Sequence, residues 1–306
     1  MNARGKILVV RGGAIGDFVL TLPVLTALRT QFSQSHLEVL GYAHIAQLAL
    51  AAGLVDAVRS IEARPLAGFF ASKGELSPEL SDYFAGFHLI ISYLYDPDEI
   101  FQTNVARCTK AQFIAGPHRP DEQLTTHATE VFLKPLERLA ILGADPTPRL
   151  LLGSLDSQPS TLNQLAVHPG SGSERKNWPQ ENWKELLHSL LAATPVNVLL
   201  VGGEAEGNRL QQLASRLPAE RIQLAQNLPL AELASRLRTC QSFVGHDSGI
   251  SHLAAAVGLP GLVLWGETVE AIWRPKNERV QILRGARGLN DISVQQVSEQ
   301  LQRLLG

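Results

Sequence analysis

Short β-branched runs alternate with longer amphipathic stretches along the whole chain, and this alternation is its main structural signal. In the first half Ile7–Val10, Leu37–Leu40, Ala57–Ile61, Leu89–Ser92 and Gln112–Ala115 read as strands. The clearest helical stretches between them are Asp17–Phe32 and His127–Leu142. The second half repeats the theme with strands at Leu165–His168, Val196–Val201, Ile222–Leu224, Ser242–Gly245, Leu262–Trp265 and Val280–Leu283. Its helices are expected at Gln180–Ala193, Gly207–Leu217, Leu230–Arg238, Gly249–Val257 and Val294–Leu305. Strands and helices alternating at these lengths predict an α/β protein built on mainly parallel sheets covered on both faces.

Between the halves, Gly143 to Leu162 holds Pro146, Pro148, Gly153 and Pro159 among Ser, Thr and Asp, with no hydrophobic period. That is turn and linker chemistry. The domain boundary is therefore set between 153 and 154, giving domains at 1–153 and 154–306. A length of 306 residues suits two domains of about 150 residues each. Open parallel sheets bind ligands beyond the carboxyl ends of their strands. The chemistry is accordingly expected in a cleft between the two sheets.

Charge narrows the ligand classes. Lys and Arg number 27 against 29 Asp and Glu, and residues 1–153 carry 13 basic and 15 acidic side chains against 14 and 14 in the remainder. Neither half has the basic surplus that phosphate-dominated nucleic-acid binding demands. The two cysteines, Cys108 and Cys240, read as reduced thiols. Met1 to Lys6 runs into the first strand without a signal core, and the apolar stretch Leu40–Val58 is broken by His44, Gln47 and Asp56. A cytoplasmic protein is expected. The nine histidines are scattered, so no metal site is expected.

Three strand-end motifs carry candidate chemistry. Arg11-Gly12-Gly13-Ala14-Ile15-Gly16-Asp17 follows the first strand. Its glycines let the backbone bring a ligand close to a helix N-terminus. It lacks the first glycine of G-x-G-x-x-G, where Arg11 stands, and the Gly-Lys-Ser/Thr of a P-loop. Asp17 is either a reactive carboxylate or a helix cap. At mid-chain, His168-Pro169-Gly170-Ser171-Gly172-Ser173-Glu174-Arg175-Lys176-Asn177-Trp178-Pro179 offers amides and hydroxyls as an anion nest, with Lys176 as a point charge. The plain alternative is a solvated polar loop.

The third motif is Gly245-His246-Asp247-Ser248-Gly249-Ile250-Ser251-His252. Asp247 or Ser248 would cap the following helix. The string is G-x-x-S-G and does not match the G-x-S-x-G of a serine-hydrolase elbow. His252 is either a site residue or a core histidine. A weaker signal is Val201-Gly202-Gly203-Glu204-Ala205-Glu206, a strand end with acids suited to a ribose, or a simple turn.

Taken in series, R-G-G-A-I-G-D, then H-P-G-S-G with K-N-W-P, then H-D-S-G-I-S-H-L-A-A-A resembles glycosyltransferase family 9, the ADP-heptose:lipopolysaccharide heptosyltransferases and their relatives. The resemblance covers nearly the whole chain. It implies the glycosyltransferase-B fold, two Rossmann-like domains facing across a cleft, with an acceptor-binding first domain and a donor-binding second one. By resemblance Asp17 is the catalytic base, and Gly13 and Gly16 shape the acceptor-side loop. Ser171, Gly172 and Lys176 match the grip on the donor diphosphate, and Asp247, Ser248, Gly249 and His252 match the lining beside the phosphates. Glu204 corresponds to an acid at the donor ribose and Leu228 to the apolar position beneath the base. The final helix is expected to cross back to the first domain.

The implied activity is inverting transfer of a sugar, a heptose from ADP-heptose, to a saccharide or glycolipid acceptor, as in lipopolysaccharide core synthesis. The nucleotide sugar is a co-substrate, and neither cofactor nor metal is implied. Peripheral contact with the inner membrane is a further expectation. The alternatives are a sugar-nucleotide epimerase of the same fold and a non-catalytic nucleotide-sugar-binding protein. One departure is the acidic run Asp96, Asp98 and Glu99 near the acceptor side, where an anionic acceptor would call for basic residues.

Overall fold

The computed structural model describes residues 5–153 and 163–305; the part of the predicted linker at 154–162 lies outside them. The chain divides into two units, Met1–Pro146 and Thr147–Gly306. The division falls inside the predicted turn-rich segment but earlier than 153/154. Two buried leucines explain the difference: Leu150 and Leu152 pack with the second unit. There the Leu150 N–H donates to the Ala256 carbonyl at 2.9 Å, and Arg238 donates to the Leu152 carbonyl at 2.8 Å.

The first unit is a five-stranded parallel sheet of β1 (Lys6–Arg11), β2 (His36–Gly41), β3 (Ala57–Ser60), β4 (Leu89–Ser92) and β5 (Gln112–Ala115), in the order β3-β2-β1-β4-β5. Its helices are α1 (Ile15–Gln31), α2 (Ala43–Ala51), α3 (Pro78–Ala85), α4 (Ile100–Ala106) and α5 (Ala128–Leu133). Ile7 to Val10 are buried, as a parallel strand covered on both faces requires. Phe18 to Leu25 are all buried, so α1 has no polar stripe there and packs between α2 and α5. The predicted helix His127–Leu142 is shorter: α5 gives way to a 3₁₀ segment, Lys134–Leu139, at Pro135. A proline cannot donate the helical hydrogen bond, and the tighter turn takes over.

The second unit is a six-stranded parallel sheet of β6 (Gln164–His168), β7 (Asn197–Gly202), β8 (Ile222–Gln226), β9 (Ser242–His246), β10 (Gly261–Trp265) and β11 (Val280–Arg284), in the order β11-β10-β9-β6-β7-β8. Its helices are α6 (Gln180–Ala193), α7 (Arg209–Ala214), α8 (Leu230–Arg238), α9 (Gly249–Ala256), α10 (Glu270–Trp273) and α11 (Val294–Leu305). Trp178, Trp183, Leu186 and Leu190 from the α6 region share its main core with β6, β7, β9 and β10. The final helix, expected to return to the first domain, is instead built into this core: Val297 and Leu301 of α11 are fully buried and pack toward α6, β9 and β10.

Each sheet reverses its winding once, between β1 and β4 in the first unit and between β6 and β9 in the second. These are the topological switch points at which open α/β sheets receive ligands. All three strong sequence motifs start there. Among the described residues no helix is long and apolar enough to cross a membrane.

The end of β1 tolerates little crowding. A Cβ on Gly41, which pairs with Arg11, would lie 2.6 Å from the Arg11 carbonyl oxygen. Gly41→Ala is expected to cost about 1–3 kcal/mol, read from urea unfolding of the first unit. An unchanged midpoint would mean that β2 yields freely at this end.

Candidate functional site

Two groups of residues, one at each switch point, hold the candidate chemistry. In the first unit the backbone leaves β1 at Arg11 and enters α1 through Gly13, at φ 96°. That left-handed value favours glycine. A Cβ there would also fall 2.8 Å from Asp17 Oδ2. Asp17 is the third residue of α1, and its Oδ2 accepts from the Ala14 N–H at 2.9 Å. The cap and the reactive carboxylate are thus compatible, because the cap uses one oxygen. The other, Oδ1, lies 3.8 Å from Arg11 Nη2, and the side chain is 30% exposed. Gly16 sits in the first turn beside it.

Arg11 received no role in the sequence analysis, yet it organises this corner. It is buried, its Nη1 donates to the His118 carbonyl at 2.9 Å and the Tyr93 carbonyl at 3.3 Å, and its Nη2 donates to the Asp17 carbonyl at 3.3 Å. The guanidinium also lies 4.6 Å from the Phe132 ring centroid. Burial lowers its pKa and the neighbouring Asp17 opposes the shift; a guanidinium stays charged in either case. Nearby, the exposed Tyr95 ring lies 4.7 Å from that of His118. The motif glycines drew attention to the loop, but no local pattern marks an arginine as buried.

In the second unit β6 ends at His168, and residues 169–179 loop over to α6. Gly172 takes a left-handed φ of 72°. Ser171 Oγ lies 2.8 Å from the Ser173 carbonyl and 2.7 Å from Asn177 Oδ1, so its one proton serves two acceptors within the loop. Lys176 Nζ donates to Asp247 Oδ2 at 2.8 Å, and the same oxygen accepts from Thr268 Oγ1 at 2.5 Å. Asp247 is largely buried and Lys176 is 39% exposed. An ammonium has three donors, so one bond to Asp247 leaves two for a ligand.

The α9 cap is Ser248, whose hydroxyl accepts from the Ser251 N–H at 3.4 Å. That choice releases Asp247 for Lys176. Gly249 opens the helix, and His252 lies buried about one turn in. Glu204 stands exposed at the start of a 3₁₀ turn, and Leu228 is half-buried between β8 and α8. The buried acid of that turn is Glu206. Its Oε2 accepts from the Gly203 N–H at 2.6 Å, and its Oε1 sits where a Cβ on Gly170 would have to go, 1.9 Å away. The structure therefore joins Glu206, not Glu204, to the 170s loop.

Two histidines lie beneath this loop. His168 Nδ1 is 2.9 Å from the Val201 carbonyl. His246 Nδ1 is 3.1 Å from the Gly170 carbonyl, and its Nε2 accepts from the Trp178 N–H at 2.8 Å. Burial lowers the pKa of both rings. For His246 the bond to Gly170 only partly offsets it, and the pKa falls to about 4.

The His246 ring is therefore neutral in the folded chain down to about pH 4, whereas an unfolded histidine titrates near 6.5. The unfolded state therefore binds more protons between pH 6.5 and 4, and stability falls as the pH drops through that window. His246 alone is expected to remove about 2 kcal/mol between pH 7 and pH 5. Calorimetric melting should show a lower Tm at pH 5, and an unchanged Tm would contradict the neutral buried ring.

Residues 152–301 match the family described as glycosyltransferase family 9 (heptosyltransferase). Lipopolysaccharide heptosyltransferase 1 of Escherichia coli strain K12 is 29% identical over 153 residues, covering 49% of this chain and 47% of that protein. The match thus spans about half the relative's length. The crystal structure of a family 9 glycosyl transferase from Veillonella parvula is similar over 100% of this chain and 98% of its own, with a TM-score of 0.81 at 18% identity. That of E. coli heptosyltransferase WaaC with ADP-2-deoxy-2-fluoro heptose is similar over 97% and 99%, with a TM-score of 0.74 at 19% identity. The two Rossmann-like parallel sheets are those of the glycosyltransferase-B fold. Over residues 152–301, nearly the whole of its second unit, the chain belongs to glycosyltransferase family 9, and along its full length it shares the fold of that family's solved structures.

Proposed function

We propose that this protein is an inverting glycosyltransferase that moves a heptose from ADP-heptose to a saccharide or glycolipid acceptor of the lipopolysaccharide core. The observation that carries this reading is the oriented ammonium of Lys176. It lies between a Gly/Ser loop and the capped N-terminus of α9, at the switch point of a doubly wound sheet. Amides, a helix N-terminus and a lysine form an environment suited to a diphosphate. The names of the relatives support the choice of sugar and acceptor.

In this reading the acceptor hydroxyl attacks the anomeric carbon while the bond from that carbon to the diphosphate oxygen breaks. The hydroxyl proton passes to Asp17, and the bonding pair leaves with ADP. A single displacement inverts the anomeric centre and needs one base. Charge developing on the leaving group is met by Lys176, by the Ser171 and Gly172 amides, and by Gly249 and Ile250 in the first turn of α9, whose amides have no partner within the helix. No divalent ion is required for that stabilisation. Asp247 holds Lys176 in place, His252 lines the same helix, Glu204 meets the ribose and Leu228 the base. Gly13 and Gly16 shape the approach of the acceptor. We place the reaction in the cytoplasm, with the glycolipid acceptor bringing the enzyme to the inner membrane surface.

The assay that tests the assignment follows ADP release from ADP-heptose with a core acceptor, and reads the anomeric configuration of the product by NMR. Asp17→Asn keeps an oxygen for the Ala14 N–H but removes the base. It is expected to lower turnover about 10²–10⁴-fold with ADP affinity unchanged; a matching loss of ADP binding would make Asp17 a structural residue. Lys176→Ala is expected to weaken ADP binding in calorimetry equally with and without EDTA. Wild-type affinity in that variant removes Lys176 from the phosphate site, and collapse of wild-type binding in EDTA overturns the metal-free reading.

A further inference from the structure

The 170s loop is made of residues that do not hold a shape by themselves. Gly170, Ser171, Gly172 and Ser173 have short side chains, and Gly172 adopts a left-handed conformation. Such a segment loses much conformational entropy when fixed. An anion nest works only if its amides are already aimed before the ligand arrives. The bonds of Ser171 to Ser173 and Asn177 brace the loop internally, but where its ends sit must be fixed from outside.

Glu206 packs against Gly170 and Arg209 pairs with Glu174, but the contacts that reach both ends of the loop and Lys176 come from two consecutive residues at the end of β9. His246 is fully buried, with its ring edge-on to Trp183 at 5.4 Å between centroids. One ring nitrogen faces a carbonyl and the other an N–H, so the tautomer is fixed. Nδ1 carries the proton and donates to Gly170, and Nε2 is bare and accepts from Trp178. These two partners are the first and last residues of the segment 170–178, which carries Ser171, Gly172 and Lys176. Asp247, the next residue, holds Lys176 itself. The backbone of the pair is pinned in turn, because the Ser251 hydroxyl donates to the His246 carbonyl.

We infer that His246 is a positioning residue, a neutral two-point clamp that closes both ends of the 170s loop and so presents Lys176 and the loop amides to the diphosphate of the donor. The inference rests on the nucleotide-sugar reading for the identity of the ligand. The clamp geometry does not. Its effect belongs to donor binding: the ring is buried beneath the loop and no reacting atom is assigned to it.

Two substitutions separate the clamp from ordinary packing. His246→Phe keeps a flat ring but removes both hydrogen bonds. His246→Gln keeps one donor and one acceptor about as far apart as the two ring nitrogens. With the full-length protein and ADP as the probe, His246→Phe is expected to weaken binding about tenfold or more, since two buried groups lose their partners. KM for the donor should rise with it while KM for the acceptor stays put. His246→Gln should recover most of the loss.

Two readouts need no ligand. Long-range ¹H–¹⁵N spectra of the wild type at pH 7 should show a protonated Nδ1 and a bare Nε2, and hydrogen exchange at the Trp178 amide should accelerate in the Phe variant while β9 stays protected. A wild-type ring protonated at Nε2, or a Phe variant that keeps both Trp178 protection and ADP affinity, overturns the clamp. Should the Phe variant not fold, the tautomer and the Gln variant decide. Failure of ADP to bind the wild type counts against the nucleotide reading instead, and the Trp178 exchange still judges the clamp.

Discussion

The pairing of β6 with β9 is the constraint on which the second unit's chemistry depends. Parallel register sets His168 opposite Gly245, so the two strands stop at nearly the same level and their loops emerge side by side. Residues 169–179 and 247–249 are therefore neighbours although some seventy positions of chain separate them. Gly245 is part of the same constraint, since a Cβ there would meet the Phe243 ring at 2.6 Å and the His168 carbonyl at 3.2 Å. Once the strands are held this closely, His246 can reach across to Gly170 and Trp178, and Asp247 can reach Lys176.

The first unit follows the same plan with different chemistry. Pairing of β1 with β4 sets Val10 opposite Ser92, and the carbonyl of Tyr93, the residue after β4, accepts from Arg11. A buried guanidinium is costly unless its donors find acceptors. Here carbonyls from three segments, at Asp17, Tyr93 and His118, accept from the two terminal nitrogens, while the buried Nε–H has no partner among the described residues. The result ties the start of α1 to the ends of β4 and β5. In one unit a cation fixes the surroundings of a carboxylate; in the other a carboxylate fixes a cation.

Much of the fold was legible because parallel strands buried on both faces read as short continuous apolar runs. Ile7–Val10, Leu89–Ser92 and Ser242–Gly245 each fall within an observed strand, with ends displaced by at most two residues. Where a single residue overrode the period, the reading failed, as at Pro135, which ends α5. The boundary shifted because a turn-rich composition does not reveal that Leu150 and Leu152 are buried. Site residues were legible at loop level and less so at atom level. Glycines and acids at strand ends marked loops that emerge at the switch points of the two sheets. Burial then decided which acid in Glu204-Ala205-Glu206 faces inward, and that depends on Gly170 in the loop after a different strand, β6. His246 and Arg11 stayed silent for the same reason: most of their partners are backbone groups far away in sequence.

The adjacent Asp247 and Ser248 show how such an ambiguity is resolved physically. Either side chain can cap a helix, and an aspartate at that place would add a favourable charge to the dipole. Ser248 is the residue whose backbone is extended, at φ −151° and ψ 164°, directly before α9, so its hydroxyl is the one within reach of the Ser251 N–H. Asp247 is one residue further back. Its carboxylate turns to Lys176 and Thr268, where two donors meet one oxygen of a largely buried acid. The division matters for an anion site. Had the aspartate occupied the cap, a negative charge would sit at the mouth of α9 and repel any anion brought there. With a neutral serine there, the helix end keeps its partial positive charge, and the aspartate's charge is spent on aiming the lysine.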